Sequence, residues 1–198
     1  MVYSKYLHIP NWQQHQKDLI SFYYSSGNYS PDMWWWCHQD DEVKQYLPNL
    51  VRDFKSIGLD LRQLIYFTTL SKDLTVTDHE DPLAIFIHQD SQDNPHYYTD
   101  LDTQFDPTFA INIPLENCQG STTFFYERVD KSPEVYYPWH GCGGLLHDSV
   151  KEVHKFELSQ PALIRINVPH GVFNPHSGHR TVATFRFYND LDFLIKDE

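Results

Sequence analysis

Residues 163–173, Leu-Ile-Arg-Ile-Asn-Val-Pro-His-Gly-Val-Phe, run through the turn Asn174-Pro175-His176-Ser177-Gly178 into residues 180–187, Arg-Thr-Val-Ala-Thr-Phe-Arg-Phe, and this stretch decides the fold. Two β-rich runs flank a cluster of Asn, Pro and Gly, which is the pattern of two strands around a turn. Side chains alternate between faces along a strand. The first run leads straight into His170. The second begins at Arg180, with Arg186 on Arg180's face by parity. His170 and Arg180 are therefore expected on adjacent antiparallel strands.

Outward from that stretch the same texture recurs. Residues 61–70, 82–90, 109–115, 122–128, 163–168 and 181–188 are short apolar or alternating runs separated by Pro, Gly, Asn and Asp. Six or more strands without long intervening helices predict an antiparallel barrel or sandwich, with the preceding helices packed on its outer face. Residues 1–60 read as a helical support segment. Asn11 is placed to cap a helix over 12–24, and Val43, Leu47, Leu50, Val51 and Phe54 recur at helical spacing over 42–57. Pro48 either kinks that second helix or moves its start, and Gly58 stops it. The run Met33-Trp34-Trp35-Trp36-Cys37 reads as packing between helix and sheet. Residues 131–144, with Pro133, Pro138 and three glycines, read as one long loop. The chain 1–198 is expected to form a single domain, with its β core over 61–190.

Composition removes several function classes. Lys and Arg number 15 against 27 Asp and Glu, a formal charge of −12. Binding to a nucleic-acid backbone draws on Lys and Arg neutralising phosphates, so nucleic acid is not the expected partner. No run reaches the ~18 apolar residues of a membrane span. Residues 1–10 lack the apolar stretch of a secretory signal. The three cysteines, Cys37, Cys118 and Cys142, contain no CxxC pair. That argues against a disulfide framework and a Cys-based zinc site, and points to a reducing, cytoplasmic setting. Of the 12 histidines, His96, His140, His147 and His154 read as surface residues, with His96 in a loop that can reach a substrate.

The chemistry concentrates in two places. In Leu83-Ala84-Ile85-Phe86-Ile87-His88-Gln89-Asp90, strand alternation puts His88 and Asp90 side by side at the strand's end. Two histidines and one carboxylate on one side of a metal make the facial triad of non-haem iron oxygenases, and His170 is the candidate third ligand. An arginine nearby is a bidentate clamp for a carboxylate. His176 is also ten residues before an arginine, Arg186, but its neighbours Asn174-Pro175 and Ser177-Gly178 place it in the turn.

The order His88-x-Asp90, then His170, then Arg180 ten positions later resembles the Fe(II)/2-oxoglutarate-dependent dioxygenases. The phrase Ala110-Ile111-Asn112-Ile113-Pro114-Leu115-Glu116-Asn117-Cys118 is similar to the middle strand of small oxygenases of this type, including some carried by bacteriophages. The resemblance covers roughly residues 61–188. It implies a double-stranded β-helix, a cupin-like jelly-roll barrel. It implies Fe(II) held by His88, Asp90 and His170, with O2 as co-reactant. Arg180 would pair with the distal carboxylate of 2-oxoglutarate, whose other end chelates the iron. Arg186, Asn112 and Tyr126 are further candidates for the cosubstrate. The pattern Arg-x-Val-x-Thr-Phe-Arg is similar to the nucleic-acid demethylase branch but has Val182 where that branch has Asn. An acidic residue at Asp90 implies hydroxylation rather than halogenation.

The implied function is oxidation of an unactivated C–H on a peptide side chain or small metabolite, with release of succinate and CO2. The competing classes are a cupin-like binding module without redox chemistry and a structural virion or scaffold protein. Arg180 separates them, because a simple metal or sugar binder has no need of an inward arginine at that spacing.

Overall fold

Alternation along four neighbouring strands builds one sheet whose two faces differ in kind. The computed structural model describes residues 1–26, 35–69, 87, 108–129, 135–137, 142–145 and 147–195. In chain order the elements are β1 (Ser4–Tyr6), α1 (Trp12–Ser25), β2 (Trp35–Gln39), α2 (Asp40–Tyr46), α3 (Pro48–Ser56), β3 (Leu61–Thr69), β4 (Phe109–Glu116) and β5 (Thr122–Arg128). They continue with β6 (Val135–Tyr137), β7 (Cys142–Gly144), β8 (Val150–Glu157), β9 (Ala162–Arg165), β10 (His170–Phe173) and β11 (Arg180–Phe187). Six strands form one sheet in the order β1-β9-β4-β11-β3-β2, three form a second in the order β10-β5-β8, and β6 pairs with β7. The pairings of the described strands are antiparallel.

One face of the large sheet is covered by helices. Phe185 lies opposite Leu64 and Ile111, and Ala183 opposite Tyr66 and Ile113. These side chains bury against Leu19 and Phe22 of α1 and Leu50, Val51 and Phe54 of α3. Phe54 meets Phe185 and Phe187 edge-on, with centroids 4.9 and 5.3 Å apart, the geometry that aromatic quadrupoles favour. The other face packs Ala110, Ile164, Val182 and Phe67 against Phe125 and Phe156 of the second sheet. The result is a mainly β sandwich of two antiparallel sheets with helices on one outer face. Among the described residues, no strand pairing closes the two sheets into a barrel. Side chains bridge one edge instead: Ser4 Oγ lies 3.0 Å from His154 Nε2, and the Tyr6 hydroxyl donates to the Glu157 carbonyl at 2.6 Å.

Several expectations need correction. The segment 1–60 is not only helical support, because it supplies both edge strands of the large sheet, β1 and β2. Part of the Trp-rich run is therefore a strand, paired to β3 with Cys37 opposite Ile65. The single helix over 42–57 is two. Leu47 ends α2 and precedes α3, and Pro48 occupies the first turn of α3, where its missing N–H costs nothing. Gly58, at φ 81, ends α3 as expected. Asn11 precedes α1 in the left-handed region without a side-chain cap; its Nδ2 donates to Asp53 Oδ2 at 3.2 Å. The long loop contains the β6–β7 hairpin, and β8 was not expected at all, since charged residues interrupt its alternation.

The largest correction concerns His170 and Arg180, which are not on adjacent strands. β9 ends at Arg165, the Ile166 N–H donates to the Thr108 carbonyl, and the chain then crosses to the other sheet. Pro169 has no N–H for a ladder. His170 starts β10 in the small sheet opposite Phe125, while Arg180 starts β11 in the large sheet opposite Thr69. The two residues belong to facing sheets.

Candidate functional site

The turn between β10 and β11 is braced before any functional side chain is reached. Asn174 Oδ1 accepts the His176 N–H at 3.1 Å and Asn174 Nδ2 donates to the Gly178 carbonyl at 2.8 Å, the local bonding that suits Asn to turns. The β4–β5 turn locks onto it. The Ser121 hydroxyl donates to the Asn117 carbonyl at 2.8 Å, and Asn117 Nδ2 donates to the His179 carbonyl at 2.6 Å. His176 Nε2 lies 2.6 Å from the Gln119 carbonyl, which only accepts, so this nitrogen carries a proton. A Cβ on Gly178 would stand 2.9 Å from Asn117 Nδ2, so glycine permits this approach. His176 is thus committed to the turn, and Arg180 enters the sheet from a fixed point.

His170 is 8% exposed and faces Phe125, with ring centroids 6.3 Å apart. Its Nδ1 lies 2.9 Å from the Val168 carbonyl. That oxygen only accepts, so Nδ1 carries a proton. A carbonyl partner that sets the tautomer in this way is what metal-binding histidines require. His88 and Asp90, the other two expected ligands, lie outside the described residues. Among the described residues no three His, Cys, Asp or Glu side chains gather around a point.

The chain beside both histidine positions nevertheless converges on one residue. The Tyr126 N–H donates to the carbonyl of Pro169, which precedes His170. The Tyr126 side chain buries against Ile87, which precedes His88, and against Leu145. The Leu145 N–H donates to the Ile87 carbonyl at 2.8 Å. Burial and the charge of Glu152 push the Tyr126 phenol up to about 12, so it stays protonated at neutral pH. Tyr126 was expected to meet the cosubstrate. The structure groups it with Ile87, Leu145 and Phe124, apart from the cluster that contains Phe125.

The inner face of the large sheet carries the polar groups. Across the strands, Arg180 lies opposite Thr69, Val182 opposite Phe67 and Pro114, Thr184 opposite Ile65 and Asn112, and Arg186 opposite Gln63. Val182 packs in the same cluster as Phe125, so this face looks toward the sheet that bears His170. Arg180 and Thr184 are each 3% exposed and Arg186 is 4% exposed. Among the described residues, Arg180 Nε, Thr184 Oγ1 and Asn112 Oδ1 have no hydrogen-bond partner. Burial pulls the Arg180 guanidinium below its ordinary value, and the neighbouring Cys118 opposes this. Cys118 supplies no anion, since burial raises its thiol, which donates to the Thr181 carbonyl at 3.2 Å.

Asn112, Arg180 and Arg186 therefore share one buried face, as parity requires. Thr184, the threonine of the Arg-x-Val-x-Thr-Phe-Arg pattern, lies on the same face between the two arginines. His154, expected at the surface, sits at the seam between the sheets, stacked on Tyr3 with centroids 5.6 Å apart. The chain matches no family model, and no curated protein matches it.

Proposed function

We propose that the protein is an Fe(II)- and 2-oxoglutarate-dependent oxygenase built on a double-stranded β-helix, and that it hydroxylates a peptide side chain or small metabolite. The observation that carries this reading is Arg180, a guanidinium 3% exposed between two sheets, whose Nε has no hydrogen-bond partner among the described residues. A buried guanidinium nitrogen without a partner is unfavourable unless something answers it. An arginine in that position fits a planar carboxylate brought by a ligand, which it can grip with two parallel hydrogen bonds.

The other residues fit the same ligand. His170, with its proton held at Nδ1 by Val168, suits a metal at Nε2. His88 and Asp90 complete the donor set by motif, and two histidines with one carboxylate suit Fe(II) while leaving coordination positions open. Iron with 2-oxoglutarate and O2 supplies oxidation of a substrate C–H, with succinate and CO2 as coproducts. The protein's own work is orientation and exclusion of water. The braced turn sets where Arg180 enters, and Phe125, Val182 and Ile164 keep the surrounding space apolar. Arg186 lies six residues further along β11, about 20 Å at the rise of a strand, so the two arginines serve different ends of what they hold.

Anaerobic addition of Fe(II) and 2-oxoglutarate to the purified protein should produce a weak visible charge-transfer band. Folded protein that retains iron yet shows no band and no 2-oxoglutarate binding would rule out the cosubstrate assignment. A thermal-shift panel with 2-oxoglutarate and succinate then separates an oxygenase from a binding module that takes metal alone.

A further inference from the structure

The N-terminal strand has its backbone in one sheet and sends side chains to the other. β1 pairs with β9 of the large sheet, Ser4 opposite Ile164 and Tyr6 opposite Ala162. The backbone just beyond each end is held beside the same strand: the Arg165 N–H donates to the Tyr3 carbonyl and the Leu7 N–H to the Pro161 carbonyl, both at 2.8 Å. Arg165 Nε donates to the Val2 carbonyl at 2.8 Å, with its guanidinium over the Phe109 ring. Across the seam, the Tyr3 hydroxyl donates to Glu127 Oε1 at 3.3 Å, alongside the contacts of Ser4 with His154 and of Tyr6 with Glu157. Tyr3 also reaches further inward. The rings of Tyr3, His154 and Phe125 form a triangle with centroids 5.6–5.7 Å apart. Phe125 is fully buried and lies opposite His170 in the β5–β10 ladder, with ring centroids 6.3 Å apart. Tyr3 thus packs against the ring that packs against His170.

The geometry points to Tyr3 as a positioning residue for the iron ligand His170, acting through Phe125. This rests on the oxygenase reading and extends it to a residue at the far end of the sequence, outside the motif. An imidazole that binds a metal needs its direction fixed before the metal arrives. The bond from Nδ1 to the Val168 carbonyl holds one ring atom, and packing against Phe125 limits how the ring tilts about that bond. Phe125 itself adjoins a register shift between β5 and β8, at Phe125/Tyr126. A bulge disrupts the ladder locally, so the ladder alone holds this residue less firmly and its ring depends on the side chains around it. Tyr3 supplies that support from a backbone seated in the opposite sheet. The N-terminal strand therefore sets, from one sheet, the orientation of a ligand carried by the other.

The test reads Fe(II) affinity by anaerobic calorimetry and stability by thermal melting without metal, in wild type and three variants of the full chain. Tyr3→Leu keeps an apolar side chain but removes the ring, and should weaken Fe(II) binding about 10-fold. Tyr3→Phe keeps the ring and removes only the bond to Glu127, and should bind Fe(II) as wild type does. Tyr6→Phe removes the hydrogen bonds from the same strand to Glu157 and Ser159, and should lower the melting temperature without changing Fe(II) affinity. Wild-type affinity in Tyr3→Leu overturns the inference while leaving the oxygenase reading intact. An equal loss of affinity in Tyr6→Phe overturns it too, because affinity would then follow the general stability of the seam. Should Tyr3→Leu not fold, Tyr3→Met carries the same two outcomes. If wild type itself binds no Fe(II), both readings fall together, and the wild-type control identifies that case.

Discussion

On the helix side of the six-stranded sheet the Tyr66 hydroxyl donates to the Leu19 carbonyl at 3.0 Å, and His15 Nε2 meets Asp53 Oδ2 at 2.9 Å. One residue along the same strands, on the side facing the small sheet, Arg180, Thr184 and Asn112 keep polar atoms unpartnered among the described residues. The two faces have the same backbone, the same ladder and similar burial. They differ in where open polar atoms lie: among the described residues, on the helix side the strand's own Tyr66 is answered while His15 Nδ1, on α1, is not, and on the inner side the open atoms belong to the strands themselves. A buried polar atom answered within the chain contributes to stability. A face left with donors and acceptors open gives up stability that a ligand can return on binding.

The comparison breaks most visibly on the helix face. Phe185→Ala should cost about 3–5 kcal/mol, because it opens a cavity where Phe54 and Leu64 now pack. Urea denaturation measures it, and a loss under 1 kcal/mol would mean that the helices do not depend on this contact. Arg180→Met on the open face should do the reverse. It should leave ligand-free stability unchanged or higher and weaken 2-oxoglutarate binding on the order of 100-fold or more. A strongly destabilised Arg180→Met would show that the arginine has a structural counter-ion.

The smallest effect tests the helix face again, through pH. Burial by itself would raise Asp53, but hydrogen bonds from Asn11 and His15 and the charges of His15 and Arg52 outweigh it and hold the carboxyl below its ordinary range. A depressed pKa contributes stability that is present above the unfolded value of about 3.9 and is lost as pH falls through the lower folded value. Asp53→Asn should therefore lower stability near neutral pH by about 1–2 kcal/mol and flatten the acid limb of the stability–pH curve. An unchanged acid limb would mean that another carboxylate governs acid unfolding.

Much of the strand inventory was legible because alternation is local. Residues 61–70, 109–115, 122–128 and 181–188 were read close to β3, β4, β5 and β11. What failed was partnership. The Trp-rich run reads as packing between helix and sheet, although Trp35–Gln39 is an edge strand, because an edge strand declares itself only through the neighbour it pairs with. The sequence from His170 to Arg180 reads as a hairpin, since Asn174-Pro175 and Gly178 mark a turn without saying whether it returns to the same sheet. At the site, parity correctly put Arg180, Arg186 and Asn112 on one face. Parity puts Thr184 there too, but only the packed structure shows that its hydroxyl has no partner among the described residues.

The sequence by itself determined which side chains share a face, since the period of two belongs to the extended backbone, and it determined that the chain is acidic and mainly β. Only the tertiary structure decided that His170 and Arg180 stand in facing sheets and that Tyr126 draws the chain at Ile87 toward Pro169. It also decided which buried polar atoms on the inner face go unanswered. The reason is physical: alternation is set one residue at a time, whereas the satisfaction of a buried group depends on every element packed around it.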